Sequence, residues 1–190
     1  MLLTVGRQSR LQRYKGIDTT LRALPAVLRQ VPGAAYLVVG PPADDAEYLR
    51  GVAAAGGVAD HVRFVGEVEP AALPDYYAAC DLFVMPTRTE ATARGLLAEG
   101  FGMVFLEAAA AGRPAIAGRA GGAPEAVVDG VTGLVVDPDD PGAVADAIVR
   151  LLTDRPLAER LGTQARARAA AFAWEQVVPR AQDAVERLLR

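Results

Sequence analysis

Short apolar runs alternate with longer amphipathic stretches over most of the chain. The runs fall at 3–5, 36–39, 62–65, 82–85, 114–117 and 134–136, each too short for a helix and bounded by turn residues or charges. They predict six strands. Between the first two, Leu21, Leu24, Val27, Leu28 and Val31 recur at helical spacing, with Asp18 or Thr19 as N-cap and Pro32-Gly33 as the stop. Further helices are predicted over 45–55, 71–79, 103–111, 124–129 and 141–152. Such alternation specifies stacked βα units, an α/β fold with a Rossmann-like parallel sheet of about six strands and helices on both faces. The strand pattern ends at Pro156. Residues 156–190 read as a charged helical extension with a break near 172–174, packed on the same domain as 1–155.

Composition narrows the function classes. At 190 residues and 52% hydrophobic, the chain has material for one sizeable core. Lys+Arg 20 against Asp+Glu 23 leaves a formal charge of −3, which is not a nucleic-acid footprint. Cys80 is alone, so no internal disulfide forms, and with a single His there is no zinc set. The first six residues are apolar for too short a stretch to be a signal peptide or span, and the expectation is a soluble, cytoplasmic protein. Among the basic residues Lys15 is the only lysine, the rest being arginine. An ammonium retained against that background suggests a chemical reason, although Tyr14-Lys15-Gly16 also reads as a plain turn before a helix.

In a doubly wound sheet, ligands bind beyond the carboxyl ends of the strands. The loop after the first strand lacks the spacing of a dinucleotide fingerprint, and the chain contains no GxxxxGK[ST] phosphate loop. That loop instead carries a pair of cations, Arg7 and Lys15, suited to a diphosphate. The string Glu99-Gly100-Phe101-Gly102-Met103-Val104-Phe105-Leu106-Glu107 carries two carboxylates eight residues apart. On one continuous helix they would lie about 12 Å apart along the axis. The glycines instead keep Glu99 on a loop, start the helix near Gly102 or Met103 and put Glu107 about one turn inside. The amides of Gly102, Met103 and Val104 then make an anion site at the helix start. The alternative is that both glutamates are merely solvated.

This segment resembles the E-x7-E motif of the retaining GT-B glycosyltransferases, particularly family 4. Val5-Gly6-Arg7, Tyr14-Lys15-Gly16, Val38-Val39-Gly40, Phe64-Val65-Gly66, Val84-Met85-Pro86, Gly121-Gly122-Ala123-Pro124-Glu125 and Asp129-Gly130-Val131-Thr132-Gly133-Leu134 resemble further family landmarks, in order. Lys15 comes after Arg7 by a longer gap than many members have. The resemblance implies that Arg7 and Lys15 bind the donor diphosphate, Glu107 the ribose and Glu99 the transferred sugar. It assigns the Gly102, Met103 and Val104 amides to phosphate and sugar, and Val65, Gly66, Glu67 and Val68 to the base. It implies a UDP- or GDP-linked donor, no metal or other cofactor, and retention of anomeric configuration.

Other strings read as structural. Asp137-Pro138-Asp139 is formally a DxD metal motif, but its proline and the helix after it make it a turn and cap. His61 lacks a catalytic partner, Cys80 precedes a strand as a core residue, and Trp174 is expected to anchor packing. The function expected is the donor-binding half of a retaining glycosyltransferase. In this reading a separate amino-terminal domain carries the acceptor site, and the chain binds donor without completing transfer. Two rivals are a non-catalytic nucleotide-sugar-binding module and a nucleotide-sugar epimerase. For the epimerase, the sequence offers no proton-transfer pair beyond Glu99 and Glu107.

Overall fold

A computed structural model describes residues 1–93 and 95–189. Its main sheet is six-stranded and parallel, with β1 (Leu2–Val5), β2 (Tyr36–Val39), β3 (Val62–Gly66), β4 (Leu82–Met85), and two later strands at Ala115–Gly118 and Gly133–Val136. The sequence runs predicted all six to within a residue or so at each end. A hairpin that they did not predict, β5 (Glu90–Thr92) with β6 (Gly95–Leu97), stands outside the sheet after β4, so the last two sheet strands are β7 and β8. Its strands are three residues each and mostly polar or small, which leaves no alternating pattern to detect.

Strand order is β3-β2-β1-β4-β7-β8. The chain winds outward one way from β1 and the other way from β4. The crevice between the ends of β1 and β4 is therefore the topological switch point, where a ligand finds two diverging loops.

Successive side chains along a strand point to opposite faces, and the two cores obey that period. Leu2, Tyr36, Val38, Leu82, Val84 and Ile116 pack beneath α1 (Ile17–Gln30), α2 (Ala46–Ala55) and α6 (Pro141–Thr153). Leu3, Val39, Phe83, Met85 and Ala117 pack beneath α3 (Leu73–Ala79), α4 (Met103–Ala110) and α5 (Ala123–Ala126). Helices thus cover both faces, as the sequence pattern required.

The tail forms α7 (Arg155–Ala170) and α8 (Trp174–Leu188), with the expected break between them. Leu157, Leu161, Ala165 and Ala169 of α7 are buried, and Ala165 and Ala169 meet Ala109 of α4. α8 contributes no buried residue. Val178, Val185, Leu188 and Leu189 are exposed, and Trp174, at 76% exposure, is not the packing anchor its size suggested. Phe172, itself exposed at 37%, makes the ring contact near the break, 5.5 Å from Phe101. Arg190 lies outside the described residues.

Local caps explain the other differences. Gly16, not Asp18 or Thr19, is the N-cap of α1, and both polar residues sit buried in its first turn. Asp137 does form a turn, accepting from Asp139 N–H at 3.0 Å, and Asp140 caps α6 through Gly142 N–H at 2.8 Å. His61 Nδ1 lies 3.0 Å from the Ala34 carbonyl, a structural contact, and Cys80 is buried. No helix among the described residues is long and apolar enough to cross a membrane, and no group of His, Cys, Asp and Glu among them could hold a metal ion.

Candidate active site

The loops at the switch point bring together the residues singled out after β1 and before α4. Arg7 is exposed just past β1. The long gap to Lys15 is filled by a 3-10 segment, Arg10–Lys15, which coils the intervening residues. The Lys15 arm then returns across Gly6, where a Cβ would come within 2.9 Å of its Cδ. Burial pulls the Lys15 ammonium below the usual lysine range, the Glu99 carboxylate opposing and the Arg7 guanidinium adding to it. Lys15, Arg7 and Glu99 therefore share one electrostatic site, although Arg7 and Glu99 are ninety-two positions apart in sequence. Burial and the same Glu99 carboxylate push the Tyr14 hydroxyl up.

Glu99 lies on a loop, as the glycine spacing required, and Gly121-Gly122 clamp that loop from below. Gly122 N–H donates to Glu99 O at 2.8 Å. A Cβ on Gly121, which holds φ 57°, would come within 2.3 Å of the same carbonyl, and one on Gly122 within 2.0 Å of Gly100 O. The family landmark Gly121-Gly122 is thus a backbone-to-backbone contact that no side chain could occupy.

α4 opens at Met103 with Gly102 as its cap. The first amides of a helix have no partner within it, so this end, with Met103 and Val104, carries partial positive charge beside the Glu99 loop. Glu107 lies about one turn inside, exposed, and accepts from the Tyr77 hydroxyl at 2.6 Å. Val65 and Gly66 end β3, with Glu67 and Val68 in the loop beyond. Val65 and Val68 pack partly against the core cluster that includes Tyr77 and Phe105. The 65–68 loop follows β3 at the carboxyl edge of the parallel sheet, the edge that also carries the loop of Arg7 and Lys15 after β1.

A cleft of about 670 Å³ runs between α3 and α4, walled by Pro70, Leu73, Pro74, Ala110 and Ala111, with Tyr77 and Glu107 at one edge. Another cavity, about 600 Å³, sits among Met1, Ala34, Asp81 and Pro114. Those residues precede strands, so it lies at the opposite edge of the sheet from the glycine-rich loops. The first cleft lies along the outer face of α3 and α4 and reaches Ala110 and Ala111 at the carboxyl end of α4, so neither cavity is the switch-point crevice itself.

Sequence reasoning missed Tyr77 and Arg88. Tyr77 reads as one more apolar position of a short helix. Arg88 sits in the unremarkable string Pro86-Thr87-Arg88-Thr89-Glu90, and its partners become visible only when β4 is set beside β1.

The family model described as Glycosyl transferases group 1 matches residues 2–168. The chain belongs to the group 1 glycosyl transferases. Among curated group 1 relatives, it is 49% identical over 163 residues to "GDP-mannose-dependent alpha-(1-6)-phosphatidylinositol monomannoside mannosyltransferase" of Mycobacterium tuberculosis, a match covering 86% of this chain and 42% of that protein. Among solved structures, it is similar to the sucrose-phosphate synthase of Thermosynechococcus elongatus (TM-score 0.80, 34% identity, 99% of this chain and 45% of that one). It is also similar to Anabaena Alr3699/HepE, solved with UDP and glucose (TM-score 0.76, 27% identity, 97% and 47%). The group 1 chain here spans less than half the length of each of these three proteins.

Proposed function

We propose that this domain holds the nucleotide diphosphate sugar donor of a retaining glycosyltransferase. The observation that carries the reading is the placement at the switch point of Arg7 just past β1, of the Lys15 arm folded across Gly6, and of Glu99, whose side chain lies against Gly102 at the amino end of α4. Two cations and a helix start suit a diphosphate leaving group, whose developing negative charge they would stabilise without a metal. In this reading Glu99 holds the sugar hydroxyls and Glu107, braced by Tyr77, takes the ribose. The base lies along Val65, Gly66, Glu67 and Val68. A mycobacterial relative named for GDP-mannose and an Anabaena structure containing UDP support a GDP- or UDP-linked donor.

The acceptor site is assigned to a second domain facing this one. The spans of the relatives, each more than twice the length matched here, are in keeping with that. The lone Cys80 suits a cytoplasmic setting, which is part of the same proposal. A thermal-shift panel of GDP, UDP and ADP and their sugar conjugates tests the donor assignment, since a ligand that binds only the native state raises its apparent stability. No shift with any of them would reject it. Product analysis after incubation separates the rivals, because an epimerase would convert the sugar of an intact donor.

A further inference from the structure

The segment after β4 reaches across the switch point to the turn that carries Lys15. Gly16 closes that turn at φ 72°, and a Cβ there would meet Pro86 O at 2.2 Å. Arg88 N–H donates to Tyr14 O at 2.7 Å. The Arg88 side chain, 13% exposed, then takes hold of the helix on the far side of Lys15. Its Nη1 donates to Asp18 Oδ1 at 2.8 Å and to Thr19 Oγ1 at 3.0 Å. Its Nε and Nη2 donate to Glu90 Oε1 at 2.9 and 2.7 Å, tying the same guanidinium to the β5–β6 hairpin.

One residue therefore grips the backbone before Lys15 and the first helical turn after it. Burial works to raise the Asp18 carboxyl, but the Arg88 and Arg22 bonds overcome it and hold it below the usual carboxylate range. Buried ion clusters add little net stability, because desolvation offsets their attraction, and fixing one geometry is the better-attested use of such a cluster. A lysine would not substitute, since a point charge cannot span Asp18, Thr19 and Glu90 as a planar fork does.

We infer that Arg88 is a positioning residue for Lys15: it holds the Tyr14-Lys15-Gly16 turn so that the ammonium meets the donor diphosphate. The inference rests on the proposed role of Lys15 and is tested separately from it. GDP and UDP affinities are measured by calorimetry for the unaltered chain, Arg88→Lys and Arg88→Met, each with and without Lys15→Ala. Arg88→Lys and Arg88→Met are expected to weaken binding about tenfold when Lys15 is present and hardly at all when it is absent, the non-additivity of coupled neighbours. Equal losses in both backgrounds, or none in either, would overturn the positioning role. Should Arg88→Met fail to fold, Arg88→Lys, which keeps the charge and loses the fork, carries the comparison. If the unaltered chain binds neither nucleotide, the donor-site reading falls and this inference with it. If it binds but Lys15→Ala costs nothing, only the Lys15 assignment and its positioning by Arg88 are lost.

Discussion

The Tyr77 hydroxyl on α3 donates to Glu107 Oε2 on α4 at 2.6 Å, linking a buried side chain to an exposed carboxylate at the edge of the candidate site. Burial first, and then the bond to Glu107, push the phenol far above its usual range. With one oxygen held in this way, the carboxylate keeps the other for a ligand. Tyr77→Phe removes a hydrogen bond to a charged group and is expected to weaken GDP or UDP binding by about 1.5 kcal/mol, within the usual range for such bonds. Calorimetry showing unchanged affinity would mean that Glu107 needs no brace.

The half-buried ammonium of Lys15 gives a prediction with two signs. Its folded-state affinity for a proton is lowered, so below both its folded and unfolded titration ranges the charge opposes folding, and stability rises as pH rises between them. Lys15→Met should therefore raise the melting temperature of the unliganded protein at neutral pH while weakening nucleotide binding by about 1.5 to 3 kcal/mol. Affinity of the unaltered protein should also decline with rising pH earlier than an ordinary lysine would dictate. Lys15→Arg should flatten that decline. A Lys15→Met protein that is both less stable and equally tight in binding would contradict the assignment.

Glu99 and Glu107 are placed on a loop and a helix, and their variants should differ in kind. Glu107→Ala is expected to weaken bare nucleotide and nucleotide sugar alike, by about 1 to 3 kcal/mol for a lost charged hydrogen bond. Glu99→Ala should weaken the sugar conjugate alone. Titrating each variant with UDP and UDP-glucose, and with GDP and GDP-mannose, checks this. Equal effects on the bare nucleotides would remove the division of labour.

Gly16→Ala tests the backbone of the Lys15 turn. The added methyl would meet Pro86 O at 2.2 Å in a left-handed conformation, a steric and conformational penalty of roughly 2 kcal/mol or more. Urea denaturation should show the midpoint falling with little change in slope. Gly33→Ala, where nothing lies within 4 Å of the added atom, is the matched control and should be nearly neutral.

The sequence by itself determined the parallel α/β class, the six sheet strands and the course of α4, because these rest on local periodicity and glycine placement. Glu99 on a loop and Glu107 one turn into a helix were legible for the same reason: Gly100 and Gly102 interrupt any continuous helix between them. Tertiary structure alone decided which distant residues meet. Strand order puts β1 beside β4, and only that neighbourhood brings Arg88 to Asp18, seventy positions away, and Gly16 to Pro86 O. Tyr77 and Glu107 meet because α3 and α4 share one face of the sheet, a fact with no trace in the spacing of either helix. The β5–β6 hairpin escaped prediction because its short strands bury little, leaving no apolar alternation along the chain to read.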